Sequence, residues 1–246
     1  MNGATPTSPR LGWIVQYGLL AGPLLTMLDS SIVNVAVLRV ADELHASIGA
    51  VQWTISGYLL ALGAGLGVVG YLARRFGTLP VYVVSLAGFT LASVACAVAS
   101  NLGVLIGARV AQGLIGAPLV PLAMSMLLGS GGQARAISPI VGIVLFLAPA
   151  LGPTVGGSLI AAGGWRLIFL INIPVGIVAT VAARRIPAAL APGRKARTRF
   201  GAVGLLLLAA GVTAVLHRPQ VRACNHGAPS CGSDPLRPLP RSTGLS

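Results

Sequence analysis

Acidic side chains are almost missing from this sequence: there are four in 246 residues, against sixteen arginines and a single lysine. Charged residues of both signs reach only 9% and aromatic residues 5%. A soluble domain carries about 25% charged residues, so a chain this poor in charge cannot cover a globular surface in water. Three cysteines, Cys96 in an apolar run and Cys224 and Cys231 in a polar C-terminal stretch, are too few and too scattered for a disulfide framework. Cys224, His226 and Cys231 match no metal-ligand spacing. There is no GxxxxGK[ST] phosphate loop, no HExxH pair and no GxSxG elbow, so the sequence does not read as an enzyme, and no cofactor is implied.

What is plentiful is apolar: 55% of residues are hydrophobic and the mean hydropathy is +0.87. A bilayer core about 30 Å thick needs roughly 20 apolar residues in helical conformation. Runs of that kind fall at Leu11 to Val37, Ile48 to Ala73, Leu79 to Ala99, Leu102 to Leu128, Ile137 to Ala162 and Leu167 to Ala183, with a shorter seventh at Phe200 to Leu216. The first is too long for the h-region of a signal peptide, about 7 to 15 residues. The expected fold is all-α: a polytopic transmembrane bundle of six helices plus one more. Its segments are residues 1–10 before the membrane, 11–183 as the six-helix bundle, 184–199 as a basic linker, 200–217 as the seventh helix and 218–246 as a tail. The tail holds five prolines, four arginines and no aromatic residue, a composition expected to be disordered.

A formal net charge of +13 suggests nucleic acid in a soluble protein, but here the cations punctuate apolar runs and act first as a topology signal. With the N-terminus inside, ten Lys or Arg residues fall in inner segments, and only Arg39 and Arg166 in outer loops before the tail. Cytoplasmic segments keep the cations, so a multi-pass protein of the cell membrane with a cytoplasmic N-terminus is expected. The tail's Arg218, Arg222, Arg237 and Arg241 run against that pattern.

Asp29 is the only carboxylate inside an apolar run, and Arg109 the only basic residue well inside one. A charge at the helix centre costs about 2.5 to 3.5 kcal/mol on an insertion scale, and such residues line functional paths. Counting along the runs puts each about 7 residues, roughly 10 Å, from an outer helix end. An Asp29–Arg109 pair is therefore possible, with Ser30, Ser31 and Asn34 adding hydrogen-bonding groups nearby. The alternative readings are a solvated Asp29 and an Arg109 that snorkels outward. In the fifth run Ala148, Gly152 and Gly156 place small residues on one face, which permits close helix approach, and Pro153 can kink it. Gly65, Gly67 and Gly70 match GxGxxG, but inside a membrane run that pattern is helix packing and not dinucleotide binding.

Five stretches together resemble a family. LDSSIVNVAV, Leu28 to Val37, is similar to the first-helix motif of the fourteen-helix drug:proton antiporter branch of the major facilitator superfamily, with Asp29 and Asn34 on its polar positions. VQWTISGYLLA matches the second-helix opening through Gln52, Trp53 and Tyr58. GYLARRFGTLP resembles the superfamily's loop motif, with Gly70, Arg75 and Gly77 in register, and LIGARVAQGLIGA the fourth-helix motif, with Arg109, Gln112, Gly113 and Gly116. APALGPTVGG, with Gly152, Pro153, Gly156 and Gly157, resembles the antiporter motif. It is followed by a similar sixth-helix start, WRLIFLINIPVG, with Trp165, Arg166, Asn172 and Pro174.

The resemblance covers about residues 11 to 185 and implies proton-coupled efflux of amphipathic small molecules. Asp29 would take the proton or help bind a cationic substrate, and a proton gradient would supply the energy. Two departures stand out. Arg74 occupies the loop motif's usual Asp position, with Thr78 and Leu79 where later basic residues fall, which puts gating in doubt. The family also continues into a second six-helix bundle, and substrate passes between the halves. A truncated or frameshifted antiporter is the first expectation here. A non-transporting remnant, or a half that needs self-association or a partner chain, is the competing one, and an uncoupled facilitator a weaker third. The orientation is checked by thiol labelling from outside the cell: Arg39→Cys should react with a membrane-impermeant maleimide and Arg75→Cys should not, and the reverse result would invert the topology.

Overall fold

The computed structural model describes residues 13–128 and 139–186. Residues 1–10, most of the linker at 184–199, the seventh run at 200–217 and the tail at 218–246 lie outside them. Among the described residues the chain is helical without strands. Its elements are α1 (Trp13–Glu43), α2 (Ile48–Val51), α3 (Trp53–Phe76), α4 (Thr78–Ala97), α5 (Leu102–Gly116), α6 (Leu119–Leu128), α7 (Pro139–Gly163), α8 (Arg166–Leu170) and α9 (Asn172–Arg184). Five stretches are long and apolar enough to cross a bilayer: Tyr17–Glu43, Ile48–Phe76, Thr78–Ala97, Leu102–Leu127 and Arg166–Arg184. A shorter apolar helix, Leu147–Gly163, lies in the fifth run. Six runs read from sequence thus appear as six helical segments, three of them divided into two.

Two of the three divisions follow prolines, and the third, between α2 and α3, falls at Gln52. Between α5 and α6 the turn falls at Ala117 and Pro118, and between α8 and α9 at Ile171, three residues before Pro174. Each proline removes a backbone donor and crowds the carbonyl four residues earlier. Pro174 sits in the first turn of α9, where the missing N–H matters least.

The first helix is longer than its hydropathy suggests. It continues through Arg39, Asp42 and Glu43, so the two acids expected in a loop form its last turn. The reason is local: His45 adopts φ 48°, its N–H reaches the Asp42 carbonyl at 3.3 Å, and the Ala46 N–H reaches the Ala41 carbonyl at 2.9 Å. That pattern closes a helix C-terminus with a left-handed residue, here a histidine in place of the usual glycine. At the opposite end Gly77, φ 94°, turns the chain from α3 into α4, a conformation that favours glycine.

The packing places α3 against α5, α1 against α7 and α9, and α4 against α5 and α9. Small residues make the tightest approaches. A side chain at Gly113 would collide with the Tyr58 carbonyl, one at Gly152 with Ser31, and one at Gly156 would press on Ile32. Ala148 is buried beside them, so the small-residue face of the fifth run is the face that meets α1. Two apolar layers result. One gathers Leu19, Leu25, Tyr82, Leu86, Phe89, Leu119 and Ala179; the other gathers Ile32, Val51, Cys96, Leu105, Trp165 and Phe169.

Two intramembrane prolines leave carbonyls unpaired, and neighbouring helices supply hydroxyls for both. Pro23 in α1 frees the carbonyl of Leu19, which accepts from the fully buried Tyr82 hydroxyl at 2.9 Å. The Tyr82 hydroxyl oxygen in turn accepts from the Gly22 N–H at 3.1 Å. Pro153 in α7 frees the carbonyl of Pro149, which accepts from Ser31 Oγ at 2.8 Å. Neighbouring side chains commonly repair such breaks where no water reaches. Removing the hydroxyl in Tyr82→Phe leaves the Leu19 carbonyl buried and unpaired, a loss of about 1–3 kcal/mol. Unfolding in mixed micelles should show it, and an unchanged transition would show that Tyr82 does not brace the kink.

Candidate functional site

Between the two apolar layers lies a single polar layer. Asp29 falls on α1 between Leu25 and Ile32, Arg109 on α5 between Leu105 and Gly113, Ser93 on α4 between Phe89 and Cys96, and Asn172 on α9 beyond Phe169. An ion buried in such surroundings is tolerable only if paired and if its remaining hydrogen-bonding capacity is filled.

The ions are paired, and most of the hydrogen-bonding capacity around them is filled. Arg109 Nη1 donates to Asp29 Oδ2 at 2.5 Å, with Asp29 0% and Arg109 1% exposed. The second carboxylate oxygen, Oδ1, accepts from the Asn172 amide at 2.8 Å. Nη1 also donates to Gln112 Oε1 at 2.7 Å, and Nε approaches the Thr54 carbonyl at 3.4 Å. Gln112 Nε2 in turn donates to Ser93 Oγ at 2.8 Å, and Ser93 Oγ to the Phe89 carbonyl at 3.0 Å. The faces of the guanidinium lie against aromatic rings, 4.2 Å from the Tyr58 centroid and 5.6 Å from that of Phe169. Such contacts gain strength when desolvated. Among the described residues, the Tyr58 hydroxyl is the buried side-chain group without a hydrogen-bond partner.

Not every residue singled out from the sequence lies here. Asp29 is nearer mid-helix than counting suggested, because α1 runs on to Glu43. Asn34 does not touch Asp29: it is exposed and donates to the Ser30 carbonyl at 2.7 Å. Gln52 joins α2 to α3 without a side-chain cap, and Gln52 and Trp53 are both exposed. Gly113 and Gly116 set the close packing of α5 on Tyr58 and Phe89, while Gly157 meets open space. Pro153 and Pro174 are exposed on α7 and α9.

Trp165 and Arg166 sit at the far end, where Trp165 Nε1 and Arg166 Nη1 both donate to Glu43, at 3.0 and 3.1 Å. Arg166 Nη2 also reaches the Ala99 carbonyl at 3.3 Å. This clasp joins α1 to the α8 end of the sixth segment. Its ion pair, 42% and 41% exposed, is worth at most about 1 kcal/mol. At the basic end, exposed Arg75 donates to the Tyr71 hydroxyl at 3.2 Å, and Arg74, where the family motif has Asp, folds back over Gly70.

Asn172 and Gln112 were visible in sequence only as motif members, although an amide inside an apolar run is itself a signal. Ser93 and the Thr54 carbonyl left none. Among the described residues no three His, Cys, Asp or Glu side chains stand together as metal ligands; Cys224, His226 and Cys231 lie outside them.

These apolar helices around a compensated, buried charge pair define a polytopic membrane-type helix bundle. The model of the Major Facilitator Superfamily matches residues 19–226, and the chain belongs to that family. The match runs past Arg218, further than the motifs alone carried the resemblance. The chain is 40% identical over 190 residues to the multidrug resistance protein B homolog of Mycobacterium tuberculosis, covering 76% of this chain and 35% of that protein. It is 35% identical over 209 residues to the tetracenomycin C resistance and export protein of Streptomyces glaucescens, covering 83% and 38%. To the multidrug export protein EmrB of Escherichia coli it is 33% identical over 204 residues, covering 81% and 39%. The chain thus spans well under half the length of these relatives. In fold it is similar to a crystal structure of the peptide transporter POT in complex with sulfate, with a TM-score of 0.66, 16% identity, and 89% of this chain and 49% of that chain covered.

The pair itself is open to a double-mutant cycle. Arg109→Leu alone strands a buried carboxylate and should cost about 3–5 kcal/mol, whereas Asp29→Leu with Arg109→Leu should cost much less than the sum of the single changes. Additive losses in micellar unfolding would show that the two charges do not depend on each other.

Proposed function

We propose that this chain is the first half-bundle of a proton-coupled exporter of amphipathic small molecules. It would sit in the bacterial inner or plasma membrane with its N-terminus and basic linker in the cytoplasm. The observation that carries this reading is the Asp29–Arg109–Asn172 cluster: the one fully buried carboxylate among the described residues is paired with Arg109 and also bound by Asn172, so its protonation changes both contacts. The exporter names of the relatives support it.

The chemistry follows from donor and acceptor inventories. As a carboxylate, Asp29 accepts from Arg109 and Asn172. Once protonated it becomes a donor at one oxygen and needs an acceptor. Arg109 has none to offer, whereas the amide of Asn172, turned end for end, presents its carbonyl oxygen. Asn172 is thus the partner that serves both states, while Oδ2 can still accept from Arg109 but no longer carries the charge that holds it. The guanidinium keeps Gln112, the Thr54 carbonyl and the Tyr58 ring, so the loosened contact is the one between α1 and α5.

Because α1 packs on α7 along the Ala148, Gly152 and Gly156 face, a shift of α1 carries α7 with it. Partners on this reading are the bilayer, protons and small amphipathic substrates, with no nucleic acid. The second wall of the transport path would come from a C-terminal half or a second copy of the chain. The alternative, a half that does not transport, draws on one fact: polar Asn34 is exposed on a membrane helix, as a face awaiting cover would be.

In proteoliposomes carrying this chain alone, an imposed pH gradient should drive accumulation of a fluorescent amphipathic probe, and Asp29→Asn should abolish it. Gradient-driven accumulation that survives Asp29→Asn would remove proton coupling at this residue. Absence of any accumulation by the unaltered chain would favour the half that needs a partner.

A further inference from the structure

Away from the charge pair, and from the cavity of about 270 Å³ that α1, α3, α5 and α7 enclose beside it, the basic end of α3 carries charge that no described residue answers. Arg74 and Arg75 stand exposed in its last turn, and Arg184 and Arg185 stand exposed at the end of α9. The carboxylates among the described residues are elsewhere: Asp29 is at mid-helix, and Asp42 and Glu43 lie in the last turn of α1, at the end from which α3 starts.

The two arginines of α3 differ. Arg75 is partly committed, since Nη1 donates to the Tyr71 hydroxyl at 3.2 Å and its guanidinium lies 5.6 Å from the centroid of the Phe76 ring. Arg74 makes no hydrogen bond or ion pair with any described residue. Its guanidinium folds back along the helix and rests on Gly70, with Nη1 3.3 Å from where a Cβ would stand there. A planar fork of N–H donors is thus laid flat against the helix and left open. A cation in the last turn serves topology and the helix dipole wherever it points. The glycine beneath Arg74 and its open fork are what those two roles leave unexplained.

The flank that leads to Arg74 is open as well. Of the five long spans, Ile48–Phe76 has the smallest buried share, 22% against 39 to 50% for the others. Leu66, Gly67 and Gly70 are exposed and share with Arg74 one face of α3, within an arc of about 100°. Phe76, 57% exposed, adds apolar surface at the same end. A track without charge that ends at an open guanidinium matches a phospholipid, with an acyl chain along the helix and a phosphate at its end. Arginine holds phosphate through two parallel N–H···O bonds, and basic groups at a membrane boundary attract anionic headgroups.

We propose that Gly70 and Arg74 form a headgroup site for an anionic phospholipid, whose phosphate sits on the Arg74 fork and whose acyl chain lies along Leu66 and Gly67. The site stands independently of export and of which end of the bundle is cytoplasmic. It places a negative charge where the loop motif's usual Asp is replaced by Arg74.

Native mass spectrometry of the full chain in mixed micelles reads the preference, with phosphatidylglycerol and phosphatidylcholine of the same acyl chains at equal concentration. The expected result is one retained phosphatidylglycerol, preferred about tenfold, more than the roughly fivefold that one arginine near an anionic surface supplies by charge alone. Arg74→Gln should remove the preference. Gly70→Val keeps every charge but fills the place of the guanidinium, and should reduce the preference about threefold or more. Arg75→Gln and Arg184→Gln remove the same charge nearby and should change it less than about twofold. These positions are exposed, so the packing survives the changes, and an unaltered unfolding transition verifies it.

No preference in the unaltered chain, or a preference unchanged in Arg74→Gln or in Gly70→Val, overturns the proposal. So does an equal loss in Arg75→Gln or Arg184→Gln, which would reduce the effect to the general charge of the basic end. Displacement of the lipid by equimolar glycerol phosphate would give the fork to a free anion, and a chain dimer in place of the lipid adduct would give the face to a second copy; either result overturns it too.

Discussion

One ion pair, Asp29 with Arg109, sets the terms on which the rest of the bundle is built. Two full charges at mid-depth of an apolar assembly are stable only when every remaining lone pair and N–H around them is met. The answer draws on nearly every segment. The second offers the Thr54 carbonyl and the Tyr58 ring, the third offers Ser93 to hold Gln112, and the sixth offers Asn172 and the Phe169 ring. Each contribution fixes a helix in rotation and depth. The polar layer, more than the non-directional apolar packing above and below it, gives the bundle its register.

Among the described residues the fifth segment adds no side chain to that layer and acts on α1 instead. Asp29 stands on α1 between two repaired breaks, with the Tyr82 hydroxyl bound at Leu19 on one side and Ser31 bound to the Pro149 carbonyl on the other. Both bonds exist because a proline elsewhere freed a carbonyl. The prolines thus serve as anchoring points as much as bends. They offer unpaired acceptors inside a solvent without water, and each recruits one hydroxyl across a helix interface. The stretch of α1 that carries Asp29 is held at both ends while its centre depends on Arg109.

How much of this the sequence discloses depends on how strongly each group violates its surroundings. Asp29 and Arg109 are legible because a charge in an apolar run has a cost that demands a reason. Their contact is harder to place, because depth was counted from the apparent end of the apolar run, and α1 runs on to Glu43 through charged residues that are adequate helix formers. The small-residue face at Ala148, Gly152 and Gly156 is legible from spacing alone. Ser93 and the Thr54 carbonyl are not, since a serine costs little in a membrane helix and a backbone carbonyl has no signature. Asn34 misleads in the other direction. It lies near Asp29 in sequence, but five residues turn the helix by about 140° from Asp29, and its amide folds onto its own helix. The Glu43, Trp165 and Arg166 clasp joins residues more than a hundred positions apart, beyond the reach of local pattern.

Arg109 is the residue that faces both the charge pair and the cavity beside it. It pairs with Asp29 on one side and lines the cavity on the other, with Tyr58 beneath it. Coupling between proton and substrate then needs no shared carboxylate. A protonated Asp29 loosens the guanidinium, whose charge is then uncompensated at the cavity wall. A bound molecule that draws the guanidinium toward itself weakens the pair in the same way. Linkage requires each event to favour or oppose the other by the same free energy, and one side chain with two neighbours is the shortest physical path that satisfies it.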